Sequence, residues 1–540
     1  MNRVFGSWFL VLGSWLRGHA SPLGAQDSRL KTQASSLKTQ ASSLTRFIRH
    51  QWSFISALGS PASLPARDRS KLAKIVTPLA VIAVCWVLGR AIARENYTIA
   101  LGLFGLSIFY MLFFHKASLL WLAPIAVCVP NMGLDIPGSW AISIEDAFSL
   151  AAFAALVSRT IMTKQPFLSR GAPVLLPLIV FWTIAVVSLF KVTLISPENM
   201  IYIVKDLLRL TMLVMFYITM VDAVRTKANV LLVIRVLLLL AVPMAIISWY
   251  IYLTKSEFFY YILTMKPAYI FYRTKILRMI SIMGSTSFTG LYYAVILALA
   301  MTYPGWLRGK RFTLPKYAFT GLVLSCLVFT FNRGTWVGVI LGLVLILFLG
   351  KMTWRKVMVL FTLVSGMIVV ASGQFFSRFD VEQRLSAAVE VSRSSGMARL
   401  VRWKSSINVI LDQPLLGVGY NNYAYVYGRY TIEQGVVPTY GSPHNMYVDL
   451  VAGVGIVGLA VFFLFLWRLW KMHLSNLRDS RDPDLRNVSL GLLLVFAFFL
   501  GASGFDSFLF KPHHTTYVIF LLWALTTAIW RMNRAEATEN

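Results

Sequence analysis

The stretch that decides the fold runs from Met446 to Arg468 and reads MYVDLVAGVGIVGLAVFFLFLWR, with Asp449 as its one charged residue before the closing arginine. A helix needs about 20 predominantly apolar residues to cross the hydrocarbon core of a bilayer, and this stretch has that length. The rest of the chain is similar: 57% of its 540 residues are hydrophobic, 14% are charged and the mean hydropathy is +0.67. Because a soluble domain has about 25% charged residues, this composition excludes an ordinary soluble protein, a collagen and a disulfide scaffold.

Comparable apolar runs follow one another from residue 71 onward and predict 12 to 14 membrane-spanning helices. The predicted spans lie near 72–90, 96–114, 118–134, 142–158, 173–194, 200–221, 229–253, 286–303, 317–332, 335–350, 357–373, 446–468, 488–505 and 515–531. The predicted fold is therefore an all-α polytopic membrane protein with one large, partly helical external loop. The predicted organisation is a tail at 1–70, a helical bundle at 71–373, the large loop at 374–445 and C-terminal helices at 446–540.

The distribution of basic residues predicts the orientation of these helices. Lys and Arg cluster at every second connection, namely 159–170, 225–227, 308–311, 351–356, 468–486 and 531–534. Cytoplasmic loops of membrane proteins are rich in these residues, which places both termini inside and accounts for the net charge of +29 without nucleic acid. Arg90 and Arg94 do not fit the pattern, since they would lie outside.

Residues 17–70 form a polar, basic segment that differs from the rest of the chain. It contains two successive copies of the heptad LKTQASS, beginning at Leu30 and Leu37. Two heptads are too few for a coiled coil, and the composition cannot bury a core. We expect a disordered cytoplasmic tail that the protein can lose without losing activity.

Several arginines fall on the predicted outer side, against the usual bias. Arg278 lies in the external segment 254–285, Arg333 in a tight turn, and Arg399 and Arg402 in the large loop. An anionic ligand would explain such a cluster, because the planar guanidinium makes bidentate, charge-assisted bonds to phosphate. The alternative is that these arginines pair with loop acids or lipid headgroups.

The predicted span at 200–221 carries Lys205, Asp206 and Arg209. Charges within a span are costly and usually face a polar cavity. Two cations and one anion leave a positive charge over, which favours a cavity wall lined by Arg209. The alternative is a self-contained ion pair between Asp206 and Arg209, which are three residues apart.

No metal site and no cofactor are predicted. The pairs Glu145–Asp146 and His513–His514 consist of adjacent residues, which point about 100° apart on a helix and are poorly placed to share a metal. We expect the two histidines to lie near the outer surface.

A short motif stands where the large loop returns to the membrane. His444 and Asn445 are followed by nine residues, then Gly455, two residues and Gly458. A histidine at such an interface can take a proton from an attacking hydroxyl; the alternative is that His444 only caps the helix. The glycines predict close packing between helices.

This motif resembles the O-antigen ligase and polymerase family of bacterial membrane glycosyltransferases. Two further features support the resemblance: the stretch from Arg399-x2-Arg402-Trp403 to Gly417-Val-Gly419-Tyr-Asn-Asn-Tyr423, and the turn Asn332-Arg333-Gly334, which has Asn where the family has Ser. The similarity covers about residues 275–470, and the N-terminal tail is not part of it.

The resemblance implies a multi-pass enzyme of the bacterial inner membrane whose active site faces the periplasm. The donor would be a glycan on undecaprenyl diphosphate, and the acceptor a sugar hydroxyl on lipid A-core or on another lipid-linked glycan. His444 would be the base; Arg278, Arg333 and Arg402, with Arg209 and Arg399 secondary, would bind the diphosphate.

Two other functions stay open at the level of sequence. A flippase or transporter of lipid-linked oligosaccharide would also have many spans and a cationic cavity, although transporters often show internal repeats and none is evident here. A ligase that attaches glycan to hydroxyls of secreted proteins would share the same scaffold.

Overall fold

The computed structural model describes residues 109, 111–113, 116–128, 134–136, 140–167, 171–256, 278–281, 283–307, 309, 313–349, 395–430, 441–509 and 514–539. The helices are α1 (Leu119–Ala126), α2 (Ile144–Thr163), α3 (Leu175–Val187), α4 (Leu189–Ile195), α5 (Met200–Ala223), α6 (Lys227–Thr254), α7 (Thr286–Thr302), α8 (Thr313–Phe329), α9 (Arg333–Phe348), α10 (Ser395–Asp412), α11 (Tyr423–Val426), α12 (Met446–Asp479), α13 (Pro483–Ser503) and α14 (His514–Glu539). Short 3-10 turns lie at Lys116–Ser118, Pro197–Asn199, Pro304–Trp306 and Tyr427–Tyr430.

The prediction of an all-α polytopic membrane protein is confirmed. Within the described residues, six helical segments are long and apolar enough to cross a membrane: α2, the pair α3–α4, α6, α12, α13 and α14. Shorter apolar helices α7, α8 and α9 pack among them. The 24-residue α5 covers the predicted charged span at 200–221. The predicted spans at 72–90, 96–114 and 357–373, and the tail at 1–70, lie wholly or mostly outside the described residues.

Residues 118–142 differ from the prediction of a span at 118–134. The described helix there, α1, has eight residues and contains Pro124, so at 1.5 Å per residue it is about 12 Å long and does not cross a membrane by itself. Two three-residue strands, β1 (Leu134–Ile136) and β2 (Trp140–Ile142), then pair antiparallel. The apolar character of this run reflects burial, because Leu119, Leu120 and Ala123 belong to the core.

Charged contacts join one set of helix ends into a common face, which we call the basic face. Arg225 pairs with Asp222 at the end of α5, at 3.5 Å, and Arg531 of α14 donates to the carbonyl oxygen of Val224 at 3.0 Å. Lys227, the first residue of α6, pairs with Asp484 at the start of α13 at 3.2 Å. The start of α12, the end of α13 and the start of α14 therefore lie at the opposite end of the bundle, the His444 face.

A seam of glycines brings α9 and α13 into close contact. Gly334, Gly338 and Gly342 recur every four residues on α9, and a Cβ on any of them would overlap atoms of the α13 region. A Cβ on Gly338, for example, would lie 2.6 Å from the carbonyl oxygen of Phe498. Residues four apart lie on one helix face, and small residues let helix backbones approach in a membrane. The seam fixes the Arg333 turn against the end of α13.

Gly455 breaks α12 and does not serve the helix packing that the sequence predicted for it. Its φ of 70° is left-handed, and a Cβ there would overlap the backbone of Leu415. The segment 414–419 fills the break: Val418 N–H donates to Ala452 O at 3.0 Å and Gly419 N–H to Gly453 O at 2.9 Å.

The same segment also uses positive φ at Gly417 (63°) and Gly419 (111°). Ile456 N–H donates to Pro414 O at 2.9 Å, so backbone groups freed by the break are satisfied, as a membrane interior requires. Gly458, by contrast, lies against Val454 of its own helix, and a Cβ there would be 3.6 Å from Ile184 of α3. The stretch containing Gly417 and Gly419 and the motif containing Gly455 thus contact each other directly.

Candidate active site at His444

The turn before α12 presents His444 and assigns helix capping to its neighbour. The Asn445 side chain accepts hydrogen bonds from Tyr447 N–H at 3.0 Å and Val448 N–H at 3.3 Å, which is the N-cap geometry. His444 has a φ of 52°, and its backbone N–H donates to Ser442 Oγ at 3.2 Å. Left-handed backbone at a residue other than glycine costs about 1–3 kcal/mol and occurs at functional sites. The alternative that His444 only caps the helix is therefore wrong.

Asp506 is the partner of the His444 imidazole. Asp506 Oδ1 lies 3.4 Å from His444 Nδ1 and accepts Ser507 N–H at 2.9 Å. Burial raises the pKa of Asp506, but hydrogen bonds from His444 and Ser287, the charge of His444 and the Ser507 N–H outweigh burial and hold that pKa below its ordinary value of 3.8. An ionised Asp506 orients Nδ1–H toward itself and leaves Nε2 available as a base. The His444 side chain is 38% exposed, so a substrate can reach it.

A second carboxylate accepts hydrogen bonds that stabilise the His444 turn. Asp449, one turn into α12, is buried and accepts hydrogen bonds from Ser507 Oγ and from Ser442 Oγ, the latter at 3.1 Å. Ser442 in turn receives the His444 N–H. This network ties the His444 turn to the loop that carries Asp506, so the two members of the pair are held by one set of bonds.

Helix α10 holds the other side of the turn. Arg402 Nη1 donates to Ser442 O at 3.4 Å and Trp403 Nε1 to Pro443 O at 2.9 Å. Tyr423 OH donates to Arg402 O at 2.7 Å. Arg402 thus lies beside the His444 turn, with one guanidinium nitrogen hydrogen-bonded to the turn itself. Arg399 is one turn earlier on the same helix.

The structure also brings the Arg278 and Arg333 segments to the His444 face. Met279 N–H donates to Phe329 O at 2.8 Å, which joins the Arg278 segment to the end of α8 just before the Arg333 turn. A Cβ on Gly334 would overlap Phe505, the residue before Asp506. Both arginine side chains are exposed. The Arg333 turn thus packs beside the Asp506 loop, and the Arg278 segment packs beside the end of α8 that leads into that turn.

Arg209 has a partner that sequence reasoning did not foresee. Its Nε lies 3.7 Å from Asp146 Oδ2 at the start of α2, and Asp146 Oδ1 accepts Tyr517 OH at 2.7 Å. Asp206 accepts a hydrogen bond from Asn421 of the 414–423 stretch. Neither of the two alternatives weighed for this span included these contacts, which link α5 to α2, α14 and the large loop.

His514 is buried at the start of α14, on the His444 face. It is 1% exposed, and its Nδ1 is 3.5 Å from Glu145 Oε1, also buried. Since His514 begins α14 and Glu145 lies in the first turn of α2, one member of each adjacent pair singled out in the sequence lies at a helix start, and these two members are in contact. His513 lies outside the described residues.

Sequence reasoning missed Asp506, Ser507 and Ser287. The available signal was weak: Asp506 is an acid in the short connection between the predicted spans 488–505 and 515–531. A single acid in a short loop carries no spacing pattern, and only the packed bundle shows that it faces His444.

Comparison with known families matches residues 317–463 to the family model described as O-antigen ligase. The matched segment begins within α8, includes the Arg333 turn, α10 and His444, and ends within α12. Arg209, Arg278 and Asp506 lie outside it. No individual curated protein matches the chain.

Proposed function

We propose, from the assignment to the O-antigen ligase family that the match over residues 317–463 supports, that this protein transfers a glycan from undecaprenyl diphosphate to a sugar hydroxyl at the periplasmic face of the inner membrane. The family points to a multi-pass glycosyltransferase of ligase or polymerase type. The acceptor is proposed to be lipid A-core or another lipid-linked glycan.

His444 acts as the general base in the proposed reaction. Its Nε2 takes the proton from the acceptor hydroxyl while that oxygen attacks the anomeric carbon of the donor sugar. The bond from that carbon to the diphosphate oxygen breaks, and its electron pair leaves with undecaprenyl diphosphate. Attack opposite the leaving group inverts the anomeric configuration. Asp506 positions the imidazole and stabilises the imidazolium that forms.

Arginines stabilise the leaving group in this proposal. Negative charge develops on the diphosphate as the glycosidic bond breaks, and preorganised cations are most effective there. Arg402 lies against the His444 turn, Arg333 lies in the turn that packs beside the Asp506 loop, and Arg278 lies in the segment joined to the end of α8 before that turn. Arg399 is proposed as a secondary contributor. Arg209, which pairs with Asp146, is proposed to contribute at the edge of the site.

The observation that carries the proposal is the His444–Asp506 pair, held by hydrogen bonds from both sides. A partly exposed imidazole with an ionised carboxylate on Nδ1, a left-handed backbone and flanking arginines is suited to proton abstraction next to an anionic leaving group. A helix-capping histidine would need none of these features.

The test is reconstituted transfer from a purified undecaprenyl-diphosphate-linked glycan to lipid A-core, to a lipid-linked glycan, or to a protein hydroxyl acceptor. His444→Ala should lose transfer by about 10²–10⁴-fold, the usual contribution of a positioned base, while its elution profile and thermal unfolding stay as in the wild type. His444→Gln, which keeps hydrogen bonding without a base, should be equally inactive. Wild-type rates in either folded variant would overturn the base assignment, and the acceptor panel separates ligase, polymerase and protein-glycosylation activities.

A further inference from the structure

Helix α10 presents an apolar stripe on its outer side. Trp403 is 39% exposed, Ile407 56%, Leu411 75% and, just past the helix end, Leu415 65%. These residues recur every four positions and so share one face. Gly417 N–H donates to Gln413 O at 3.1 Å, so the chain keeps winding as far as Leu415. We call these four residues the α10 stripe.

The buried side of α10 includes two serines, whereas the large apolar side chains of the stripe lie exposed on the outward side, flanked by Lys404 and Asp412. Ser405 and Ser406 are buried, together with Val409. A helix on a water-exposed protein surface has the opposite arrangement, with its apolar residues facing the core. An exposed apolar stripe of this kind marks a binding surface, and its occupant must be apolar.

The stripe is continuous with the surface of a membrane span. Ile195, the last residue of α4, packs in one cluster with Val409 and Ile410 of α10, and Lys191 Nζ donates to Gln413 Oε1 at 2.8 Å. On α4, Phe190 is 66% exposed and Leu194 64%, and α3–α4 is one of the candidate spans. The stripe therefore meets apolar surface that faces lipid.

We propose that α10 is an interfacial helix whose stripe lies in the outer leaflet, at the boundary between lipid headgroups and acyl chains. Amphipathic helices bind there with Trp and aliphatic residues inward and Lys or Arg toward the headgroups. Trp403 fits the headgroup level, where amphipathic aromatic rings collect. The exposed Lys404 beside it can extend toward the phosphates.

This placement has a consequence for His444, which rests on the proposed function. Trp403, the first residue of the stripe, donates to Pro443 O, and its neighbour Arg402 donates to Ser442 O. The depth of α10 in the leaflet is thus transmitted by two hydrogen bonds to the residues just before His444. A lipid-linked diphosphate lies at that same depth, so the helix sets the level of the base relative to the donor.

The test uses site-specific fluorescence in the full-length protein. Cys85, Cys128 and Cys326 are replaced by Ala, and Leu411→Cys, Ile407→Cys or Asp412→Cys is labelled with an environment-sensitive dye in lipid nanodiscs. Asp412 is the matched control, because it is exposed and adjacent to Leu411 but turned about 100° around the helix. Phosphatidylcholine with a nitroxide at acyl carbon 5 serves as the quencher.

Quenching at positions 407 and 411 should exceed that at 412 by at least about twofold, as for a helix half-embedded in the interface. Equal, weak quenching at all three positions would overturn the proposal. A blue-shifted emission at 407 and 411 without lipid quenching would also overturn it, since protein would then cover the stripe. The readout does not involve glycan transfer, so its outcome is independent of the proposed activity.

Discussion

At the scale of single residues, Asp506 is the partner of the His444 imidazole and is proposed to position it as the base. Because its pKa lies below the ordinary 3.8, Asp506 is ionised above that value, and the stability it contributes is lost only as the pH falls through the lowered pKa. Between pH 5 and 8 it does not titrate. Asp506 therefore stays ionised, and stays the partner of His444 Nδ1, throughout that range.

Asp506→Asn should lower transfer at least ~10-fold, because the amide can select the wrong imidazole tautomer. The measurement is the transfer rate of the reconstituted protein. Asp484→Asn, at the far end of α13, is the control and should keep the wild-type rate. A wild-type rate in folded Asp506→Asn would mean that Asp506 is only structural.

Guanidinium geometry should matter at Arg278, Arg333 and Arg402. Lys keeps the charge but loses the bidentate fork, so Arg→Lys at two or more of these positions should lower transfer at least ~10-fold, or ~1.4 kcal/mol in the barrier. Arg478→Lys, an exposed position toward the end of α12 at the basic face, should have no effect. Full activity in all three Lys variants would remove the arginines from diphosphate binding.

The sequence predicted part of this chemistry and could not predict the rest. The His444–Asn445 motif marked the turn because its spacing to Gly455 is a local pattern. That Asn445 caps the helix while the His444 backbone has a positive φ could not be predicted, because a dipeptide does not specify its own backbone angles. Asp146–Arg209 and His444–Asp506 join residues more than 60 positions apart, and such pairs follow only from how the helices pack.

At the scale of elements, Gly455 should be the least replaceable glycine of α12. Gly455→Ala should destabilise the protein by at least ~1 kcal/mol, because a Cβ is strained at positive φ and would overlap the Leu415 backbone. Gly321→Ala in α8 is the matched control, since a Cβ there meets nothing within 4 Å. Thermal unfolding in detergent measures both, and equal midpoints would contradict the role given to the break.

The hydropathy pattern predicted where most helices lie, but not whether a helix is broken or too short to cross a membrane. The run at 446–468 spans as predicted, yet it is two helical pieces joined at Gly455, because an apolar pattern does not reveal where a distant backbone segment will enter. In the described part of the run at 118–134, Leu119, Leu120 and Ala123 are buried in the bundle, and Pro124 lies within the short helix. A run of apolar residues indicates that a segment is removed from water, but it does not indicate whether lipid or protein surrounds the segment.

At the scale of the whole molecule, the basic face is predicted to be cytoplasmic and the His444 face periplasmic. In cells with a permeabilised outer membrane, a membrane-impermeant thiol reagent should label Glu198→Cys, near the start of α5, but not Arg478→Cys. Both positions are exposed. Labelling of Arg478→Cys before lysis would reverse the orientation and, with it, the side on which the proposed reaction occurs.

The contact between segment 414–419 and Gly455 gives the spacing of the His444 motif a structural role. Segment 414–419 packs against α12 at Gly455. The helical piece from Met446 to Val454 therefore sets the distance between that contact and His444. One residue more would rotate its outer end by about 100° and lift it by about 1.5 Å. Because the contact at Gly455 would stay in place, the His444 imidazole would turn away from the Asp506 carboxylate. The nine-residue spacing therefore sets both the height and the rotation of the proposed base relative to the contact at Gly455.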